Sequence, residues 1–283
     1  MSAAADLARR YVYGRGRAAA FFDLDGTLCA EPSIERRFVR FLIRSKRIGI
    51  VAGFRWLAHL AGGVLAGSEH PLDVNKAALA GVSTSTAEEW ADSLSGVSER
   101  VEFFDDGVRA MEEHHAAGHP IFIVTGTLAP LAQVVAARLP MAVGIAATKL
   151  EIGWRERRLG AAPGAVWAGS IAGEHMSGGA KVKALENLAL QCGLDLARSY
   201  AYGDSARDIP MLERVGHAAA VNPTARLARR ARLRGWPIRH WKGHWDGQNR
   251  SHLANEKRWA GEALKTGIGS ETLTGLCSIL GAR

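Results

Sequence analysis

The chain has 283 residues, of which 47% are hydrophobic and 23% are charged. This is the composition of an ordinary globular protein, and it excludes a disordered, collagen-like or multi-span membrane chain. Lysine and arginine number 36 against 28 acidic residues, so the net charge is +8, which favours acidic partners. The three cysteines are widely spaced; they form neither a disulfide framework nor a paired metal motif, which favours a reducing cytoplasm.

The N-terminal third of the chain predicts one buried strand followed by an insert of helices. Residues 18–24 are apolar and end in acidic residues and glycine, as a buried strand does where it enters a loop. From residue 33 onward strand alternation is missing, and Ile34, Phe38 and Phe41 recur at helical spacing. We therefore predict an all-helical insert of about four helices over residues 33–99.

Residues 48–67 come nearest to a membrane span within this insert. They are mostly apolar, but Arg55 and His59 lie near the middle of the stretch. A charge at the centre of a bilayer costs about 2.5–3.5 kcal/mol, which disfavours a span. We therefore predict a pair of amphipathic helices here, either buried or lying on a surface.

The rest of the chain alternates helices with strands. After a helix that begins near Asp106, strands are predicted at 121–124, 143–147, 148–152, 199–202 and 218–221, and helices at 128–138, 181–191, 206–212 and 224–233. Strands separated by helices of this length form a parallel sheet with right-handed crossovers. The predicted fold class is α/β, with a Rossmann-like parallel sheet as the core and the helical insert after its first strand.

Polar residues follow the predicted strands or open a helix at four places in the sequence. They are Asp23 and Asp25 with Gly26 and Thr27, Thr125 with Gly126, Lys181, and Asp204 with Asp208. Ligands of open α/β sheets bind beyond the carboxyl ends of the strands. We therefore expect these residues to converge on one crevice.

The residue types in this crevice suit a metal ion and a phosphoryl group. The carboxylates of Asp23, Asp204 and Asp208 repel one another unless a divalent cation lies among them, and oxygen ligands without histidine or cysteine favour Mg2+. Lys181, Thr125 and backbone N–H groups add a positive field around a phosphate. A carboxylate beside phosphorus makes an aspartyl-phosphate intermediate available, and a second one can serve as acid and then as base.

Four short motifs resemble those of the haloacid dehalogenase superfamily and occur in the same order. They are FFDLDGTL at 21–28, IVTGT at 123–127, Lys181 within GGAKVKAL, and YGDSARDIPML at 202–212. The resemblance covers about residues 18–241, and the first and fourth motifs are the specific ones. The helical insert is similar to the cap of the phosphoserine-phosphatase-like branch, subfamily IB.

The resemblance implies a role for each matching residue. Asp23 would be the nucleophile that attacks phosphorus, and Asp25 would protonate the leaving oxygen and then activate water. Thr125, Gly126 and Lys181 would bind the phosphoryl group, and Lys181 would also orient the nucleophile.

The resemblance also implies a magnesium site and a reaction class. Mg2+ would be held by Asp23, the backbone carbonyl of Asp25 and Asp204, with Asp208 in support. The second aspartate of the first motif favours a phosphatase or mutase over a dehalogenase, because carbon–halogen chemistry does not need its proton.

Two departures from the phosphoserine phosphatase pattern leave the substrate open. Arg207 stands where those enzymes carry asparagine, and Glu31 lies earlier than their cap glutamate. On the first predicted cap helix, Arg37 and Arg40 are further candidates for facing the substrate. The substrate class that fits best is a small phosphorylated metabolite, such as an amino-acid, amino-alcohol or polyol phosphate.

Positive charge is concentrated near the C-terminus. Between residues 226 and 258, ten basic residues stand against two acidic ones, a balance equal to the net charge of the whole chain. We expect a discontinuous core domain over 1–32 and 100–241, a cap over 33–99, and a basic, aromatic tail over 242–283 whose role the sequence does not reveal.

Three functions follow from these features. The first is a Mg2+-dependent phosphomonoesterase in the cytoplasm that acts on a small phosphorylated metabolite. The alternative keeps this chemistry but acts on a lipid phosphate at an anionic membrane surface, with residues 48–67 as the lipid cradle and the protein peripheral to the membrane. The third is a nucleic-acid or protein-binding module that uses the basic tail, although no specific nucleic acid is predicted. The oligomeric state is left open.

Overall fold

The structure, a computed structural model, describes residues 16–65, 75–94, 101–156 and 163–245. Its strands are β1 (Ala20–Phe22), β2 (Ile121–Leu128), β3 (Gly144–Thr148), β4 (Leu150–Arg155), β5 (Gly164–Ile171), β6 (Tyr200–Gly203), β7 (His217–Val221) and β8 (Ile238–Arg239). Its α-helices are α1 (Ile34–Arg44), α2 (Ile50–Leu65), α3 (Thr86–Ser93), α4 (Asp105–Ala116), α5 (Ala129–Ala136), α6 (Gly179–Cys192), α7 (Ile209–Glu213) and α8 (Ala225–Arg234). Short 3-10 turns cover Ala77–Leu79, Leu196–Arg198 and Ala206–Asp208.

A parallel six-stranded sheet forms the core, in the order β3-β2-β1-β6-β7-β8. In the register of the central strands, Phe22 at the end of β1 pairs with Ile123 of β2 and with Tyr202 of β6. The loops that leave these strands therefore start at one edge of the sheet. The predicted α/β class, with helices inserted after the first strand, is confirmed.

The sheet separates two apolar layers, and alternation along β1 supplies side chains to both. Phe22 belongs to the layer that contains Met111 of α4, whereas Phe21 belongs to the layer that contains Leu185 of α6 and Leu227 of α8. All of these side chains are buried, and burying one of this size contributes about 1.5–3 kcal/mol. The rigid sheet fixes the positions of the loops at its edge.

The helical insert packs into the first of these layers. Helix α1 buries Ile34, Phe38 and Leu42, which recur every four residues and form one stripe. The ring of Phe38 lies 5.6 Å from that of Trp90 on α3 and 5.7 Å from that of Trp167 on β5. The insert and the sheet therefore share one continuous core.

An antiparallel hairpin formed by β4 and β5 also packs against the insert. The N–H of Gly81 donates to the carbonyl of Trp167 at 2.8 Å, and the N–H of Trp167 donates to the carbonyl of Val82 at 2.9 Å. Strand β5 was not predicted, because its sequence GAVWAGSI is rich in glycine and alanine and weakly patterned. This hairpin lies outside the predicted cap range but contacts the cap helices.

Residues 50–65 of the apolar stretch form one helix, α2, so the expected pair of helices is wrong over these residues. Gly53 is an isolated glycine, which a helix tolerates, and the adjacent pair Gly62 and Gly63 lies in the last turn, so neither divides the helix. No helix in the ranges that the structure describes combines the length and the apolar run that a membrane crossing needs.

The start of the predicted tail is attached to the core. Trp245 exchanges two backbone hydrogen bonds with Phe103, and the N–H of Lys242 donates to the Asp106 carboxylate at 2.8 Å. The remainder of the tail, 246–283, lies outside the described residues, so its binding role stays a prediction.

Candidate active site

Three carboxylates meet at the edge of the sheet where β1 and β6 end. Asp23 follows β1, and its N–H donates to the carbonyl of Tyr202 on β6 at 2.9 Å. Asp204 follows β6, and Asp208 lies in the 3-10 turn beyond it. One carboxylate oxygen from each of these three aspartates lies within 4.8 Å of the other two. Residues far apart in the sequence are thus brought together as expected.

Gly26 allows the loop after β1 to approach Asp204. Its φ is +83°, a conformation that side chains disfavour. A Cβ atom at this position would lie 2.6 Å from Oδ2 of Asp204. Only glycine fits there without moving one of the clustered carboxylates.

Lys181 joins two of these carboxylates from the first turn of α6. Its Nζ lies 2.6 Å from Oδ1 of Asp23 and 2.6 Å from Oδ1 of Asp208, and the side chain is buried. Burial alone would lower the pKa of Lys181, but the two carboxylates outweigh this effect and raise it. The lysine therefore stays charged and fixes Asp23.

Asp208 uses both of its carboxylate oxygens within the protein. Oδ1 accepts from Lys181, and Oδ2 accepts from the N–H of Ser205 at 3.0 Å and from its hydroxyl at 2.8 Å. Burial would raise the pKa of Asp208, but Lys181 and these hydrogen bonds lower it. Asp208 is therefore a charged support for the lysine and for the loop after β6.

The negative charge of the cluster exceeds the charge of its one lysine. Burial raises the pKa of Asp23 to about 7, although Lys181 opposes the shift. Burial, with the nearby charges of Asp23 and Asp208, raises the pKa of Asp204 to about 8. A divalent cation relieves such crowding, and a donor set made of carboxylate oxygens suits Mg2+. The residues present therefore fit the expected metal.

Asp25 faces different partners from Asp23. Its Oδ1 accepts from the N–H of Ile34 at 2.7 Å, at the start of α1, and its Oδ2 accepts from the hydroxyl of Thr127. Burial raises the pKa of Asp25, while these two hydrogen bonds oppose the shift. A raised pKa suits a group that must hold and release a proton.

Thr125 and Gly126 lie at the end of β2, and Thr127 is the site residue that sequence reasoning missed. The Thr125 hydroxyl accepts from the N–H of Thr127 at 3.1 Å, and the Gly126 carbonyl accepts from the Thr148 hydroxyl at 2.7 Å. Thr127 belongs to the IVTGT motif, but the register of β2 is irregular between Thr125 and Leu128, so strand alternation alone does not place its side chain. Its hydroxyl donates to Oδ2 of Asp25.

Arg37 supports the loop after β1 through backbone contacts. Its Nε donates to the carbonyl of Pro32 at 2.8 Å, and its Nη2 donates to the carbonyl of Ala30 at 3.3 Å. The guanidinium therefore braces the segment that connects the first motif to the cap.

The other predicted substrate residues are exposed. Oε2 of Glu31 accepts from the N–H of Ser33 at 2.9 Å, and its charge adds to the raised pKa of Asp25, after the larger effect of burial. The side chains of Arg40 and Arg207 also face solvent. A substrate role for these residues stays a prediction.

His175 is a further residue near this edge that the sequence did not single out. It lies on the loop before α6, and a Cβ atom on Gly126 would come within 3.1 Å of its Cε1. The imidazole therefore packs on the glycine that follows Thr125.

A parallel sheet with aspartates after β1 and β6 and a lysine on α6 defines a haloacid dehalogenase-like hydrolase. The profile of that family matches residues 20–213. The chain belongs to this family, as its four motifs predicted.

Two relatives are similar to this chain over most of its length. The Inhibition of morphological differentiation protein of Streptomyces azureus is 33% identical over 230 residues, 78% of this chain and 78% of that protein. Phosphoserine phosphatase SerB1 of Mycobacterium tuberculosis (strain ATCC 25618 / H37Rv) is 33% identical over 233 residues, 80% of this chain and 71% of that protein. The predicted resemblance to the phosphoserine-phosphatase-like branch and the phosphatase class of enzyme are confirmed.

A solved structure shares the fold. It is a protein with unknown function from Bordetella pertussis Tohama I, with a TM-score of 0.63 and 27% identity. The match covers 80% of this chain and 99% of that one.

Proposed function

We propose that this protein is a phosphomonoesterase that hydrolyses a small phosphorylated metabolite through an aspartyl-phosphate on Asp23. The observation that carries the proposal is the divergence of two aspartates only two residues apart. Asp23 is held by a buried lysine among the clustered carboxylates, whereas Asp25 is held by Thr127 and the start of α1. One carboxylate is thus arranged as a nucleophile and the other as an acid and base.

In the first step, Asp23 attacks phosphorus. Its Oδ1 is bound by Lys181, so Oδ2, which lies 3.5 Å from the Thr27 hydroxyl, is the oxygen that forms the new bond. The bond from phosphorus to the substrate oxygen breaks, and Asp25 gives that oxygen its proton. Thr125, Gly126 and Lys181 bind the transferring group.

In the second step, Asp25 takes a proton from water, which attacks the phosphorus of the aspartyl-phosphate. The bond between phosphorus and Asp23 breaks, inorganic phosphate leaves, and the carboxylate of Asp23 is restored. Asp25 keeps its position in both steps because Thr127 and the N–H of Ile34 hold its two oxygens.

The carboxylate cluster supports Mg2+ as the cofactor. Asp23, Asp204 and the backbone carbonyl of Asp25 would hold it, with Asp208 in support through Lys181. When bound, it supplies the positive charge that offsets both the phosphate and the crowded carboxylates.

The substrate class rests on the relatives and on the cap. The relative named phosphoserine phosphatase supports an amino-acid phosphate or a similar amino-alcohol or polyol phosphate. The candidate substrate contacts are polar residues of the cap and of the motif loops: Glu31 after the first motif, Arg37 and Arg40 on α1, and Arg207 within the fourth motif. We place the enzyme in the cytoplasm, where such metabolites occur.

The test is a screen of purified protein with Mg2+ against small phosphomonoesters, with Asp23→Asn as the control. Phosphate release by the native chain with at least about 10³-fold less from the variant supports the proposal. Release that is equal in both proteins would come from a contaminant or another site, and it would overturn the proposal.

A lipid phosphate is the second candidate substrate, because α2 of the cap exposes an apolar face. This candidate places the same chemistry at the surface of a membrane. Turnover of a lysophospholipid phosphate at a higher kcat/KM than any soluble ester would favour it over the metabolite.

A further inference from the structure

Helix α2 carries an apolar stripe on the outside of the cap. Ile50, Phe54, Leu57 and Leu65 are 80%, 68%, 54% and 89% exposed, respectively. Their spacing of three, four and eight residues keeps them on one face of the helix. A helix of this length is about 24 Å long, so the stripe is a continuous apolar strip along the cap.

The opposite side of α2 is the side that holds it to the protein. Nη1 of Arg55 donates to the carbonyl of Ala80 at 3.1 Å, and the carbonyl of Trp56 accepts from Nδ2 of Asn75 at 2.7 Å. The side chain of Arg55 is thus directed inward, and His59 is the other strongly polar residue in the sequence of α2. The exposed stripe remains on the outer face.

Positive charge lies at the N-terminal end of this stripe. Residues 34–65 contain seven basic residues and one acidic residue, and that acidic residue, Glu35, is paired with Lys76. Arg44, Lys46 and Arg47 follow one another at the turn from α1 to α2, just before the stripe begins. The three are exposed, although Arg47 is paired with Glu89.

We propose that α2 is a docking surface for an anionic lipid bilayer. The stripe enters the boundary between headgroups and acyl chains, and the basic turn lies against the lipid phosphates. Charge decides between this partner and a second copy of the chain. Two copies meeting through α2 would bring together two surfaces of the same positive charge, whereas an anionic surface neutralises that charge.

The proposal goes beyond the phosphatase chemistry and does not depend on it. The stripe lies on α2, whereas the hydrogen bond that ties the cap to the active site lies at Ile34, at the start of α1. Docking therefore leaves the contacts of Asp25 intact. We therefore expect the membrane-bound enzyme to hydrolyse soluble esters at the same rate as the unbound enzyme.

The experiment is flotation of the full chain with phosphatidylcholine vesicles that contain or lack phosphatidylglycerol. Phe54→Ser combined with Leu57→Ser removes the stripe, and Leu190→Ser combined with Leu233→Ser is the matched control, because those leucines are 84% and 71% exposed on α6 and α8. We expect the native chain and the control to float with anionic vesicles only, and less at high salt. The α2 variant should lose at least about tenfold in binding.

Three outcomes would overturn the proposal. They are no flotation with anionic vesicles, equal flotation with both vesicle types, and an α2 variant that floats like the native chain. Light scattering adds a fourth outcome, in which the native chain is a dimer, the α2 variant is a monomer, and neither protein binds vesicles. Circular dichroism and hydrolysis of a soluble phosphomonoester, both expected to be unchanged in the variants, separate this result from misfolding and from a failure of the phosphatase proposal.

Discussion

Two clusters of buried titratable groups lie beside the same strand, β6, and they differ in whether they hold charge. At its carboxyl end, Asp23, Asp204 and Asp208 surround a charged lysine. Along its length, Tyr202 binds the imidazole of His114 at 2.9 Å, and burial lowers the pKa of that histidine to about 4. One cluster holds the charged pair of Lys181 and Asp208, and the other stays neutral.

The neutral cluster is built from stacked rings and hydrogen bonds. The ring of Tyr200 lies 4.6 Å from that of His114 and 4.6 Å from that of His217. Nδ1 of His114 lies 3.0 Å from Nδ1 of His119, so one nitrogen of this pair must carry a proton and the other must accept it. Such a network satisfies buried polar atoms without the desolvation cost of a charge.

This difference shows where the protein tolerates groups whose charge costs free energy to bury. Buried charge is retained where a metal and a phosphate can use it, although paired buried ions contribute little to stability by themselves. Away from the site, His114 and Tyr202 are buried beside the same sheet in their neutral forms. The contrast gives four predictions, of which the first three concern the active site and the fourth concerns the neutral cluster.

The largest effect is expected at the two aspartates of the first motif. Asp23→Asn and Asp25→Asn should each lower kcat by at least about 10³, because one removes the proposed nucleophile and the other the proposed proton donor. Steady-state hydrolysis of the best small ester measures this. Asp92→Asn, an exposed aspartate on α3, is the matched control and should keep the native rate. Turnover above about a tenth of the native value in either site variant would contradict the assignment.

Metal binding should be visible as stability as well as activity. Saturating Mg2+ should add about 2–3 kcal/mol to the free energy of unfolding at a hundredfold excess over Kd, and a chelator should abolish turnover. Asp204→Asn should lose the Mg2+-dependent rise in Tm. In the chelator it should be at least as stable as the native chain, because a crowded carboxylate is gone.

Thermal unfolding with and without Mg2+ measures this prediction, and Asp92→Asn again serves as the control. An equal rise in Tm for Asp204→Asn and the native chain would mean that the metal binds at a site that does not include Asp204. Replacing Mg2+ by Ca2+ should inhibit turnover, because Ca2+ takes more oxygen ligands at longer distances.

Thr127 separates the role of Asp25 from that of the clustered carboxylates, because it binds Asp25, the proposed acid, and does not contact the cluster. Thr127→Val removes a hydrogen bond to a buried carboxylate, a loss of about 1.5–3 kcal/mol, so kcat should fall about 10- to 100-fold with KM little changed. Thr127→Ser keeps the hydroxyl and should restore most of the rate. If the valine and serine variants lost activity equally, the effect would come from packing.

The charged cluster was largely predictable from the sequence, because its residues follow strands that sequence patterns reveal. Asp23, Asp25 and Asp204 stand directly after short apolar runs, and parallel strands bring such positions to one edge. Thr127 was not predicted, because its partner depends on how the end of β2 faces the loop after β1. The rings around His114 come from three separate elements, and no local pattern links them.

The cap was predicted less completely than the core. Its helical character follows from periodicity, and α1 buries Ile34 and Phe38 of the predicted stripe, whereas Phe41 is only partly buried. Strand β5 pairs with residues 81–83 of the insert across a long sequence separation, which periodicity cannot reveal. The exposure of α2 also depends on tertiary packing, because the sequence of an apolar helix does not show whether other elements cover it.

The smallest effect is expected from the neutral cluster, as a dependence of stability on pH. The folded-state pKa of His114, about 4, lies below the ordinary value of 6.5. Between these values the unfolded chain binds a proton that the folded chain does not. The stabilisation is therefore complete above pH 6.5 and is lost as the pH falls towards 4. At pH 5 the stability lost amounts to about 2 kcal/mol.

His114→Gln keeps hydrogen-bonding atoms but does not titrate, so its free energy of unfolding should fall by about 2 kcal/mol less than that of the native chain between pH 7 and pH 5. Urea denaturation at both pH values measures the difference, with the exposed His240→Gln as the control. The carboxylates whose pKa is raised act in the opposite direction, because they bind protons more readily when folded. The comparison of His114→Gln with His240→Gln isolates the buried histidine, because both variants keep these carboxylates. Identical pH slopes would mean that His114 binds its proton equally well in the folded and the unfolded chain.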